Sequence, residues 1–271
     1  MMYGKSQITY IIAVSIIFPK FTGKGKFPMK EQIVKQNLPF TIHTNRTIMF
    51  EELRLLISHG IFDKDEVMKL NVLKKKTRIN LFRTVELLSR LYEFDKQSEL
   101  WKVFVFLWNL TEDSNRRSMT LLFAVRNDEV LKVSVPVVLS TSIGKKVQIT
   151  AIQSAIEKDF SALYSTNTLI STSQNIASSW KQAGYIEGKI RSIRVAIKPD
   201  YVTVLFALYL GRLDGLVGED LMTTTWIKML ELPESKLKSL ISEAAMRDLI
   251  TYHHTGGVVA IRFDNLLNQI K

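Results

Sequence analysis

The stretch ITYHHTGGVVAIRF, residues 250–263, limits the architecture of this chain more than any other feature. Two β-rich runs flank Gly256-Gly257, and a glycine pair supplies the positive φ angles that a tight hairpin turn demands. Three helix patterns precede it: YVTVLFALYLGRL, GEDLMTTTWIKML and LPESKLKSLISEAAMRDL. Pro233 stands at the start of the third, where helices tolerate proline. Helix, helix, helix, hairpin is the order of a winged helix.

A rougher copy of that order occupies residues 140–198. VQITAIQSAIEKDFSALYS has amphipathic helical spacing, a polar helix follows, and YIEGKIRSIRVAI alternates as a short hairpin turning at Glu187-Gly188. Upstream, FEELRLLISHGIF places Leu53, Leu56, Ile57 and Ile61 on one helical face and stops at Gly60. Asp63 is a cap candidate for the next helix. TRINLFRTVELLSRLYEF buries the stripe Leu81, Val85, Leu88 and Leu91. The expected fold is mainly α with small β hairpins. A basic segment with a short apolar strand (1–44) and a helical domain (45–135) lead into winged-helix-like modules at 136–198 and 199–271. ITYIIAVSIIF, Ile8 to Phe18, is too short for a membrane span, which needs roughly 20 apolar residues. Its β-branched content reads as a buried strand in preference to a targeting segment.

Charge indicates the kind of partner. The chain carries a net +11, with pI ≈ 9.7, and no cysteine. An excess of that size suits a polyanion. The missing thiols remove disulfides and thiolate zinc sites and fit the cytoplasm. Residues 1–50 hold 7 basic against 1 acidic side chain, whereas residues 201–271 hold 7 against 8. The last segment taken alone is therefore a poor phosphate-binding surface. Its helix 233–248 mixes Glu234, Glu243 and Asp248 with Lys236, Lys238 and Arg247, which suits a protein contact.

The strongest candidate for reading a groove is the polar helix from about Thr168 to Ala183. Leu169, Ile176, Trp180 and Ala183 share one face. Ser171, Asn175, Ser178 and Gln182 share the other, with Gln174 and Lys181 beside them. Such side chains donate to and accept from base edges and phosphates, whereas a merely solvated helix usually carries Glu and Lys. Lys189, Arg191 and Arg194 on the following hairpin are placed to flank phosphates. The competing interpretation is that the small polar residues let another helix approach closely. A second cluster, Lys74, Lys75, Lys76 and Arg78, precedes a helix whose N-terminal amides also favour phosphate; it suits a solvated face equally well.

Chemistry leaves little trace. TGKGK (22–26) and STSIGKKV (140–147) lack the phosphate-loop consensus and read as flexible basic turns. His43 and His59 have no carboxylate at ligand spacing. His253 and His254 are adjacent, so a strand would point them apart. No metal, cofactor or catalytic motif is expected, and the chain reads as no enzyme.

The pattern TSQNIASSWKQAGYIEGK, with Ser178, Ser179 and Trp180 followed by Ala183, Gly184 and Tyr185, resembles the BrxA-type small proteins of bacteriophage-exclusion (BREX) systems. The likeness covers about residues 50–190 and leaves out 1–28 and 199–271. It implies a helical protein, similar in part to an antitermination factor, that binds DNA without enzymatic activity. The expected function is non-enzymatic binding of double-stranded DNA alongside other defence-system proteins. The alternative is a scaffold subunit that docks a larger enzyme through its C-terminal module. An RNA role ranks third because the reading face lacks aromatics.

Overall fold

Side-chain caps start most of the helices. The computed structural model describes residues 39–160, 163–188, 191–255 and 258–271, except the side chain of Thr255. The strand expected at 8–18, the TGKGK turn and Lys189 lie outside them. Helix α1, Phe50–His59, ends at Gly60, and α2 is Lys64–Leu70. As expected, the Asp63 carboxylate caps α2 by accepting from the Glu66 amide at 2.9 Å. Thr77 caps α3, Arg78–Tyr92, and Ser98 caps α4, Glu99–Trp108. Helices α5 (Asp113–Asn127), α6 (Glu129–Lys132), α7 (Val135–Ser140) and α8 (Ile149–Phe160) follow. Then come α9 (Thr166–Gln182), β1 (Ile186–Glu187) and β2 (Ile193–Arg194).

After residue 200, α10 (Tyr201–Leu213) is apolar all round, and every residue from Val202 to Gly211 is buried. A helix of that kind belongs inside. Phe206 of α10 meets Phe104 at 5.4 Å and Phe123 at 6.1 Å between ring centroids, so the core of α4 and α5 continues into the C-terminal part. Each fully buried ring contributes on the order of 1.5–3 kcal/mol of burial.

GEDLMTTTWIKML departs from expectation: it is not one helix. A 3-10 turn, Gly218–Thr223, is separated from α11, Thr225–Lys228, by Thr224 in an extended conformation. The Thr224 hydroxyl accepts from the Ile227 amide at 3.2 Å, so one of three consecutive threonines serves as a cap instead of continuing the helix. Gly211 lets this break sit against α10; a Cβ there would lie 2.9 Å from the Thr224 methyl. Helix α12 (Glu234–Met246), strands β3 (Thr251–Thr255) and β4 (Val258–Arg262), and α13 (Asp264–Gln269) complete the chain.

The protein is thus mainly helical with two small antiparallel strand pairs. Thr255 pairs with Val258, which leaves a two-residue connection at the glycine pair. In the first pair, Ile186 opposes Arg194 and Glu187 opposes Ile193. The segment 144–147 adds a third row beside β2. Lys146 bridges Ile193, the Gly144 amide donates to the Arg194 carbonyl at 2.8 Å, and the Val147 amide donates to Ser192 at 2.9 Å. STSIGKKV is therefore tied down along its second half, not a loose turn. Among the described residues no single helix is long and apolar enough to cross a membrane.

Candidate nucleic-acid interface

Helix α9 opens on Ser165, whose hydroxyl accepts from the Thr168 amide at 3.3 Å. It closes at Gly184, which takes φ +84, a conformation that side chains with a Cβ rarely adopt. Its apolar face is the expected one: Leu169, Ile176, Trp180 and Ala183 are all buried. The Trp180 indole donates to the Ser134 hydroxyl at 2.8 Å and meets the Tyr185 ring edge-on at 5.0 Å.

The polar face divides. Asn175 donates to the His43 carbonyl at 2.8 Å. Gln182 donates to the Thr47 hydroxyl at 2.8 Å and accepts from the Phe50 amide at 3.4 Å. Both were expected to read a groove, but the segment 41–50 lies over them and takes their hydrogen bonds. Gln174 is exposed, and Ser171, Ser178 and Lys181 are half-buried. Ser171 and Ser178 donate back to the carbonyls of Thr168 and Gln174, at 3.0 and 2.9 Å, which leaves their oxygen lone pairs available. Asn167 and Ile170, both exposed, extend this open strip toward the start of the helix.

Beneath the segment 41–50 lies an arrangement that sequence spacing did not show. His43 Nδ1 is 2.8 Å from Asp128 Oδ2, and His43 Nε2 is 2.8 Å from the Ser179 hydroxyl. No carboxylate stands at ligand spacing from His43 in the sequence; its partner Asp128 lies 85 residues along the chain. Serine, histidine and aspartate in this order match the distances of a nucleophilic triad. All three, however, are buried at 0% exposure. Ser179 also accepts the Ile48 amide at 3.0 Å and lies 3.0 Å from the Asn175 carbonyl. No substrate carbon can approach an oxygen so enclosed, so the trio is a structural tie. Burial alone would raise the Asp128 carboxyl, but the His43 hydrogen bond and charge, with the Leu131 and Ile42 amides, hold it below the ordinary range. No family model matches the chain, and no curated protein matches it.

The expected cations also separate. Arg191 is exposed in the turn between β1 and β2. Arg194 is fully buried: its guanidinium donates to the carbonyls of Val138 (3.3 Å) and Tyr185 (3.1 Å), and pairs with Glu231. Its position rules it out as a phosphate ligand. Two cations that the sequence reading left aside, Lys145 and Lys146, are exposed on the row paired with β2. The cue was the lysine doublet itself, but its pairing partner lies far along the chain. In the second cluster, Lys75 is taken by Glu52 at 2.7 Å, whereas Lys74, Lys76 and Arg78 are exposed with no ion pair among the described residues. Arg46 donates to Asn80 at 2.7 Å, so the segment that braces α9 also braces the first turn of α3. On α12, Glu234 pairs with Lys238 at 2.6 Å and Glu243 with Arg247 at 3.0 Å.

Proposed function

We propose that the protein is a non-enzymatic, cytoplasmic DNA-binding component of a multiprotein phage-defence assembly, built as a helical body followed by two winged-helix modules. One observation carries the DNA reading. The open strip of α9, with Ser171, Gln174 and Ser178, leads at its C-terminal end into a small sheet that exposes Lys145, Lys146 and Arg191 without ion-pair partners among the described residues. Polar side chains on a helix and cations beside it suit a groove and its flanking phosphates. The element order supports the winged-helix reading. Residues 135–194 run helix, paired row, helix, helix, hairpin, and residues 201–262 run helix, broken helix, helix, hairpin. The defence context rests on the resemblance over residues 50–190.

Three phosphate contacts give a slope of roughly −2.7 in log affinity against log salt, or about sixfold weaker binding for each doubling of salt. The test is fluorescence anisotropy of a labelled duplex over a salt series, with Lys145→Glu, Lys146→Glu and Arg191→Glu combined. The variant should bind more weakly and lose most of the slope. No binding at low salt, or an unchanged slope in the variant, refutes the reading. In that case the ion-paired surface of α12 favours the alternative, a scaffold that docks a larger enzyme through its C-terminal module.

A further inference from the structure

The exposed cations Lys145, Lys146 and Arg191 hang on a sheet too small to hold itself in place. Strands β1 and β2 have 2 residues each, and an isolated hairpin is marginal in water even when longer. The backbone of Arg194 ties the lysine row to them. Its amide donates to the Lys145 carbonyl at 2.8 Å, and its carbonyl accepts from the Gly144 amide at 2.8 Å. Ser192, next to Arg191, is buried at φ +50 and accepts from the Val147 amide at 2.9 Å. A residue with a Cβ stays in that conformation only where its neighbours determine it.

The Arg194 side chain in turn anchors this backbone to the C-terminal part of the fold. Its guanidinium lies 5.2 Å from the centroid of the Tyr185 ring and donates to the carbonyls of Val138, Tyr185 and Val195. Those acceptors belong to the same module as the sheet. The carboxylate does not: Glu231 stands between α11 and α12, itself at φ +50, and among the described residues it alone forms an ion pair with Arg194. The Tyr185 hydroxyl repeats the link by donating to the Met229 carbonyl at 3.0 Å. An enclosed guanidinium stripped of its carboxylate is an uncompensated charge. Strand β2 therefore keeps Arg194 inside only while Glu231 answers it.

We infer that the C-terminal module acts on DNA without touching it: Glu231, through Arg194, is a positioning residue that holds Lys145, Lys146 and Arg191 in one arrangement for the phosphates. The inference rests on the DNA reading of that surface and adds what controls it. Cations preset on a fixed sheet lose little freedom on binding, whereas the same cations on a loosened hairpin must be ordered by the DNA at the expense of affinity. Control through position also suits residues 201–271, whose 7 basic and 8 acidic side chains supply no attraction of their own.

The test uses the full chain and two variants. Glu231→Gln removes the charge and keeps the shape. Arg194→Met with Glu231→Gln removes both charges, so it leaves no buried ion uncompensated and the net charge unchanged; exchanges of this kind keep a fold intact, and a thermal melt checks it. Hydrogen exchange at the Gly144, Val147 and Val195 amides should quicken in both variants, while the Ile42 and Ile48 amides keep their protection. A labelled duplex should bind the double variant roughly two- to thirtyfold more weakly, the range for residues that act through a network. The slope of log affinity against log salt should not change, because Lys145, Lys146 and Arg191 all remain. A slope reduced by about 0.9 would make Arg194 a phosphate ligand and overturns the inference. Unchanged exchange at the three sheet amides, or unchanged affinity where the wild type binds DNA, overturns it as well and leaves the DNA reading standing. A wild type that binds no duplex at low salt removes both.

Discussion

Asp128→Ala tests how the segment 41–50 is held. The carboxylate accepts from the Thr41 hydroxyl at 2.9 Å, the Ile42 amide at 3.0 Å and the His43 ring at 2.8 Å through one oxygen, and from the Leu131 amide at 2.8 Å through the other. Truncation strands three buried donors, each at a cost of roughly 1–3 kcal/mol. The segment can lift to let water in, so the sum is an upper bound, and about 3–5 kcal/mol is expected, the lower part of that range. Urea denaturation at neutral pH measures it. Because the folded Asp128 carboxyl is held below its ordinary value, the stabilisation is complete above the unfolded carboxylate pKa of about 3.9. It is lost as pH falls through the lower folded value. Other carboxylates also titrate there, so the informative quantity is the difference between wild type and variant, which should shrink in acid. Hydrogen exchange at the Ile42 and Ile48 amides reports whether the loss is local. A neutral-pH difference under about 1 kcal/mol, or one that persists unchanged in acid, refutes the account.

Two further outcomes concern α9. Asn175→Ala with Gln182→Ala would change stability by less than about 0.5 kcal/mol if the face were simply exposed. Because the two side chains make three hydrogen bonds to the segment 41–50, a loss of about 3 kcal/mol is expected instead, roughly 1 per hydrogen bond, measured by chemical denaturation. Trp180→Ala should cost on the order of 3–5 kcal/mol through the cavity it leaves; near-neutral stability in the same assay would show that the indole is dispensable to the core.

The sequence made the local elements legible where one residue type carries a local meaning. Asp63 caps, Gly60 and Gly184 stop helices, and Leu81, Val85, Leu88 and Leu91 form a buried stripe. It also placed the second hairpin at its glycine pair, because turn chemistry acts over a few residues; the first lies in the expected segment, but Glu187 pairs with Ile193 in the strand, so the connection is the longer 188–192 and not a turn at Glu187-Gly188. What it could not show was long-range pairing. Asn175 and Gln182 have the same helical spacing as Ser171 and Ser178, and only the approach of residues 41–50 distinguishes the occupied pair from the open one. Nor does any local pattern place Asp128 beside His43. The break at Thr224 was missed for a different reason. Helical spacing of apolar residues continues through it, while the competing hydroxyl-to-amide bond is a local alternative that periodicity ignores.

Arg194 shows why polar residues near a basic hairpin divide into two kinds. A guanidinium carries five donors in a rigid fork, and burying it is tolerable only if carbonyls and a carboxylate surround it. Here the acceptors come from Val138 before α8, from Tyr185 beside β1, and from Glu231 past α11. Tyr185 adds a second link by donating its hydroxyl to the Met229 carbonyl at 3.0 Å. One buried cation and one buried phenol thus join the first hairpin to the chain between α11 and α12. Arg191 stands in the turn, outside the strand, and lies in water, while Arg194 in the strand is fully enclosed. A surface that meets phosphate must keep its cations unpaired, and a joint between two parts of a fold must pair them completely. The hairpin holds one cation of each kind three positions apart, Arg194 fully paired and Arg191 exposed with no ion pair among the described residues.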